Sequence, residues 1–98
     1  MNIVKKVNIP DCEIALEGRL DTSTSPELEN ELNQLQEGVT DLTFDFSKLD
    51  YISSAGLRIL LTTQKKMMKI GSMKLKGVNP DVMDVFEITG FADILTIV

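Results

Sequence analysis

Between Leu42 and Leu61 the apolar period of the chain changes from two to about 3.6. Leu42-Thr43-Phe44-Asp45-Phe46 alternates as a strand with one buried face, and Leu57-Arg58-Ile59-Leu60-Leu61 opens a helical run. The junction between them is Ser53-Ser54-Ala55-Gly56, a pair of hydroxyls where a strand hands over to a helix. A serine at a helix N-terminus lies among backbone N–H groups with no intrahelical partner, at the positive end of the macrodipole. That setting favours an anion such as phosphate.

The rest of the chain follows the same alternation of periods. Residues 2–7 and 12–20 read as two strands separated by the turn signal Asn8-Ile9-Pro10-Asp11, which predicts a hairpin. In the second strand Cys12, Ile14, Leu16 and Leu20 mark the buried face. Ser25-Pro26 opens a first helix, with serine as N-cap and proline at the first helical position. Glu27 and Glu29 suit its dipole, Leu28, Leu32 and Leu35 form its stripe, and Gly38 is expected to stop it. A third strand covers 42–46 and a second helix runs from about Ala55 to Ile70, closed by Gly71. Met73 to Val78 alternates as a fourth strand, Asn79-Pro80-Asp81 caps a third helix ended by Gly90, and Ile94 to Val98 makes a short final strand or tail.

Helices alternating with strands after an opening hairpin imply an α/β fold. The expected architecture is a mixed sheet of four to five strands, the later ones parallel, with about three to four helices. At 98 residues the chain makes a single domain with one modest core. The strand–helix junctions at Leu20-Asp21-Thr22-Ser23 and Asp50–Gly56 then fall at the same end of the sheet, where open α/β sheets carry their functional loops.

Composition removes whole classes of function. With no histidine, a Ser-His-Asp triad is impossible, the lone thiol of Cys12 has no imidazole partner, and a zinc site lacks its usual ligands. Cys12 sits in an alternating run and reads as a packed side chain. A net charge of −5 offers no basic face for nucleic acid, and Lys65, Lys66 and Lys69 complement a helix C-terminus instead. No apolar run approaches the ~20 residues that span a bilayer, and Met1-Asn2-Ile3-Val4-Lys5-Lys6 does not read as a signal peptide. The expectation is a cytoplasmic protein that does not insert into membranes, with no catalytic activity, cofactor or metal.

Taken in order, three segments make the chain resemble the STAS domain family, specifically its free-standing anti-sigma factor antagonists. They are Glu17-Gly18-Arg19-Leu20-Asp21, then Phe44-Asp45-Phe46-Ser47 with Asp50-Tyr51-Ile52-Ser53-Ser54-Ala55-Gly56-Leu57, then Gly77-Val78-Asn79-Pro80 with Phe86-Glu87-Ile88-Thr89-Gly90-Phe91. The resemblance covers nearly the whole length. It implies a partner switch: the unmodified domain binds an anti-sigma factor that is also a serine kinase of the GHKL ATPase type, and so frees a sigma factor. The kinase phosphorylates one serine of the antagonist, which releases it, and a metal-dependent serine phosphatase resets the switch. The family pattern Asp-Ser-Ser-Gly-Leu, aligned on Gly56-Leu57, places the acceptor on Ser54. Ser53 stands where an acidic residue often precedes it, which makes Ser53 the second candidate.

Each of these residues also has a plainer reading. Ser54 serves equally as an N-cap worth about 1 kcal/mol, and the two roles are compatible. Asp21 is either an Asx-turn residue or, with Thr22, part of the partner surface. Gly56 admits either a partner's backbone or a close helix–sheet contact. Asp45 brings to mind a receiver-type phosphoaspartate, yet neither an acidic cluster nor the accompanying lysine is recognisable. In the second helix Ile59, Thr63 and Met67 lie off the main stripe, either as an adaptable interface beside Leu57 and Arg58 or covered by another helix. Two other readings remain: a non-switching STAS subunit of a membrane transport or stress-sensing complex, and a nucleotide-binding protein or enzyme, which lacks a phosphate-cradling glycine loop.

Overall fold

A computed structural model describes residues 1–98. It contains strands β1 (Asn2–Asn8), β2 (Asp11–Leu20), β3 (Asp41–Ile52) and β4 (Ser72–Lys76). Helices α1 (Ser25–Asn33), α2 (Ser54–Ile70) and α3 (Pro80–Thr89) lie between and after them, and a short 3-10 turn covers Phe91–Asp93. The strands lie in one sheet in the order β1-β2-β3-β4. β1 and β2 are antiparallel, while β2, β3 and β4 are mutually parallel. The expected final strand is reduced to one parallel bridge, Leu75 with Ile97, closed by Leu75 N–H to Thr96 O and Val98 N–H to Leu75 O, each 2.9 Å.

Because each parallel strand joins beside its predecessor, right-handed crossovers put α1 and α2 on the same face. The register carries the apolar rows across that face: Cys12 beside Leu42 beside Met73, and Ile14 beside Phe44 beside Leu75, all buried. Leu28 of α1, Leu60 of α2 and Val82 and Phe86 of α3 complete the core. The opposite face carries Glu13, Thr43 and Lys74 in one row and Ala15, Asp45 and Lys76 in the next. There Lys76 pairs with Glu13. Cys12 is buried, and desolvation pushes its thiol above the ordinary cysteine range.

Several boundaries differ from the sequence reading. β3 runs on to Ile52 rather than ending at Phe46, because two irregularities each place an extra β3 residue opposite β2. Between Ala15 and Glu17 the partner strand advances from Asp45 to Lys48, and between Gly18 and Arg19 from Leu49 to Tyr51. The buried positions therefore step from Phe46 to Leu49 to Ile52 instead of alternating. α1 stops at Asn33, short of Gly38, whose φ of 96° falls in the following loop. Leu32 and Leu35 still pack against the core from the helix end. Ser25 is the first residue of α1 rather than its cap, and it is buried.

Candidate functional site

The rim at the C-terminal ends of β2 and β3 is built from two chain segments held edge to edge. Leu20 and Ile52 are register partners, and Ser53 N–H donates to Leu20 O at 2.9 Å. The start of α2 is thus tied to the end of β2. A third segment joins through Asn79, whose Nδ2 donates to Leu49 O at 2.7 Å while its Oδ1 accepts Val82 N–H at 2.8 Å. One side chain caps α3 and anchors it to β3.

After Leu20 the chain turns on a reciprocal pair. Asp21 Oδ1 accepts the N–H groups of Ser23 and Thr24 at 3.0 and 3.1 Å, and Thr24 Oγ1 accepts Asp21 N–H at 2.9 Å. This is a capping box one turn ahead of α1, and Ser25 N–H to Asp21 O at 2.8 Å continues it into the helix. Hydrogen bonds from the Ser23 hydroxyl and the Thr24 backbone N–H hold the Asp21 carboxyl below the usual aspartate range. Thr22 stands exposed at the tip of this turn. Asp21 therefore fills the Asx-turn role that its position suggested.

At the second junction the two serines divide differently from the sequence expectation. Ser53, with φ −99° and ψ 176°, occupies the N-cap position, and Ser54 is the first helical residue. Ser53 makes no side-chain cap bond; its Oγ is buried without a hydrogen-bond partner. The first bond into the helix is Leu57 N–H to Ser53 O at 3.0 Å. The first turn of α2 carries no acidic residue, whereas α1 has Glu27 and α3 has Asp81. Ser54 is exposed to solvent, and so is Arg58 one turn on.

The remaining candidates lie inside. Leu57 is buried, and Gly56 faces the sheet: a Cβ there would meet Leu20 and Ile52. Its missing side chain serves helix–sheet contact, so the approach of a partner's backbone at this position is corrected. Ile59, Thr63 and Met67 are 8%, 7% and 4% exposed. They share with Leu32 and Leu35 the floor of a groove of about 120 Å³ between α1 and α2, whose rim includes the exposed Glu29 and Lys66. The expected adaptable interface on these residues is thus an internal contact, and the Thr63 hydroxyl turns back to Ile59 O at 2.7 Å.

Two rim residues escaped the sequence reading. Arg19 and Tyr51 are register neighbours, and the guanidinium lies 4.2 Å from the centre of the Tyr51 ring with both side chains exposed. The signal was their strand position beside Leu20 and Ile52, visible only once the two strands are aligned in the right register. No group of three or more potential metal ligands occurs in the structure, and no helix is long and apolar enough to cross a membrane.

Comparison with known proteins matches the chain to one family. The model of the STAS domain matches residues 1–98. The chain is 38% identical over 84 residues to BtrV of Bordetella bronchiseptica, covering 84% of the chain and 72% of that protein. It is 32% identical over 98 residues to an anti-sigma-B factor antagonist of Bacillus subtilis, covering 99% of the chain and 90% of that protein. Its fold superposes on an anti-sigma factor antagonist from Mycobacterium paratuberculosis with a TM-score of 0.87 at 21% identity, over 98% of this chain and 83% of that one. The phosphorylated form of the Bacillus protein SpoIIAA gives 0.76 at 20% identity, over 99% and 91%. At these identities the two structures speak for the fold.

Proposed function

The chain belongs to the STAS domain family, and on that premise we propose that it is an anti-sigma factor antagonist whose docking is switched at Ser54. The general role rests on the curated relatives, which are similar over most of both chains. The observation that carries the switch is an exposed hydroxyl on the first residue of α2, beside an N-cap side chain that does not cap.

In this reading the unmodified rim, formed by Thr22, Ser54 and Arg58 with the half-buried Asp21 and Ser53, docks on an anti-sigma factor. That partner is also a serine kinase of the GHKL type. It transfers the terminal phosphoryl group of ATP to Ser54 Oγ; ADP leaves, and the hydroxyl proton passes to a base on the kinase. The phosphate adds about −1.5 to −2 charges at neutral pH. In the free domain, water, the open N–H groups and the helix dipole accommodate that charge. Inside a desolvated interface it lacks those partners, and a coupling of ~3 kcal/mol changes affinity more than a hundredfold. A metal-dependent phosphatase restores the hydroxyl. Ser54 lies on the surface, so the charge acts on docking and leaves the core untouched.

The direct test is intact-mass and fragment spectra of the protein purified from its own cells. A phosphate on Ser54 is the expected result; a phosphate only on Ser53, or none under any growth condition, overturns the assignment.

A further inference from the structure

We propose that Arg58 is the internal counter-ion of the modified site, closing its guanidinium on a phosphate carried by Ser54; this rests on the phosphorylation reading above. Residues four apart on a helix are neighbours, with Cβ atoms about 5–6 Å apart, and the order of acid before base is the favourable one. Ser54 and Arg58 stand in that relation in the first turns of α2, and both are exposed. Arg58 enters none of the three ion pairs of the structure, which join Lys5 to Glu31, Arg19 to Asp21 and Lys76 to Glu13. Its guanidinium is therefore free to turn towards Ser54.

The other charged groups of the rim are already engaged or belong to other segments. Arg19 is stacked on Tyr51 and turned towards Asp21, at 3.8 Å. Asp21 is occupied by its own turn, and Asp50 belongs to β3. α2 itself presents no carboxylate in its first turn to compete for Arg58. An arginine offers five donors in a planar fork that matches phosphate, so the pair forms charge-assisted bonds that a lysine reproduces only as a point charge. Modification then changes two features of the rim: a dianion appears, and the exposed cation beside it is withdrawn from docking.

The test installs phosphoserine at position 54 through an expanded genetic code, which needs no kinase, and follows the second phosphate ionisation by phosphorus NMR. In the Arg58→Gln protein the titration midpoint is expected about 0.2–0.4 unit higher than in the otherwise wild-type phosphoprotein. Arg58→Lys should fall between the two, and both substitutions should leave the melting of the unmodified protein unchanged. Identical midpoints for the wild-type and Arg58→Gln phosphoproteins overturn the proposal. Because the phosphate is placed chemically, that result is independent of whether cells modify Ser54.

Discussion

Gly56 lies against Leu20 so closely that a Cβ built on it would stand 2.8 Å from Leu20 Cγ and 2.9 Å from Ile52 Cγ1. Leu20 is fully buried and Ile52 nearly so, so a methyl at this position must displace side chains within the core. Gly56→Ala gains up to about 1 kcal/mol of helix propensity but forces overpacking that costs about 1–3 kcal/mol. The expected net effect is destabilisation with an unchanged denaturant slope, measured by urea unfolding.

Binding of the anti-sigma factor should separate substitutions at the rim from those beneath it. Ser54→Ala should keep affinity and abolish labelling by kinase and ATP, whereas Ser54→Asp should weaken binding by about tenfold or more. Calorimetry with the cognate partner measures both, and equal affinities would sink the switch. Far-UV spectra of the Asp variant should match the wild type.

Met67→Ala should behave in the opposite manner. Its side chain is buried beside Ile59 and Thr63, so truncation is expected to cost about 2–5 kcal/mol of stability. Affinity per folded molecule should stay unchanged. A melting curve and a titration on the same sample distinguish the two effects.

Asp21 gives a pH signature. Its carboxyl titrates below the ordinary aspartate range because the ionised form accepts hydrogen bonds from the Ser23 hydroxyl and the Thr24 backbone N–H. The stabilisation is fully present above the unfolded value of about 3.9 and is lost as pH falls through the lower folded value. Asp21→Asn should therefore melt below wild type at neutral pH, with the gap narrowing as pH drops under about 4. A gap independent of pH would contradict the assignment.

Asn79 joins two elements through one amide. Asn79→Ala removes the cap on Val82 N–H and the bond to Leu49 O together, and about 1–2 kcal/mol of stability should be lost. Hydrogen exchange should rise first in the opening turn of α3.

The sequence reading succeeded where one local rule acted alone. The alternation of Cys12, Ile14 and Leu16 named the buried face of β2, and Asn79-Pro80 with Gly90 bounded α3 as found, with Gly90 at φ 82°. It stopped short in β3 because the apolar residues after Phe46, Leu49, Tyr51 and Ile52, do not alternate, a spacing that makes sense once the bulges against β2 are known. The end of α1 was drawn to Gly38, the nearest conventional stop, although the chain leaves the helix at Gln34. The junction serines fall one position from the expectation: either can cap by residue type, and the placing of Ser53 is set by its backbone bond to Leu20, distant in sequence. For Ile59, Thr63 and Met67 the sequence leaves an interface and coverage by another helix equally open, because the stripe of α2 is wider than one sheet needs. Part of the additional width faces α1.

The side-by-side strand order has a consequence for how the molecule is made. No strand is inserted between two earlier ones, so the sheet can be laid down in the order in which the ribosome delivers it. The rim formed by the ends of β2 and β3 with the start of α2 is in place before β4 and α3 are synthesised, and Asn79 joins it afterwards. Residues 72–98 then add the far edge, and the exposed start of α2 does not wait for the C-terminus to be placed.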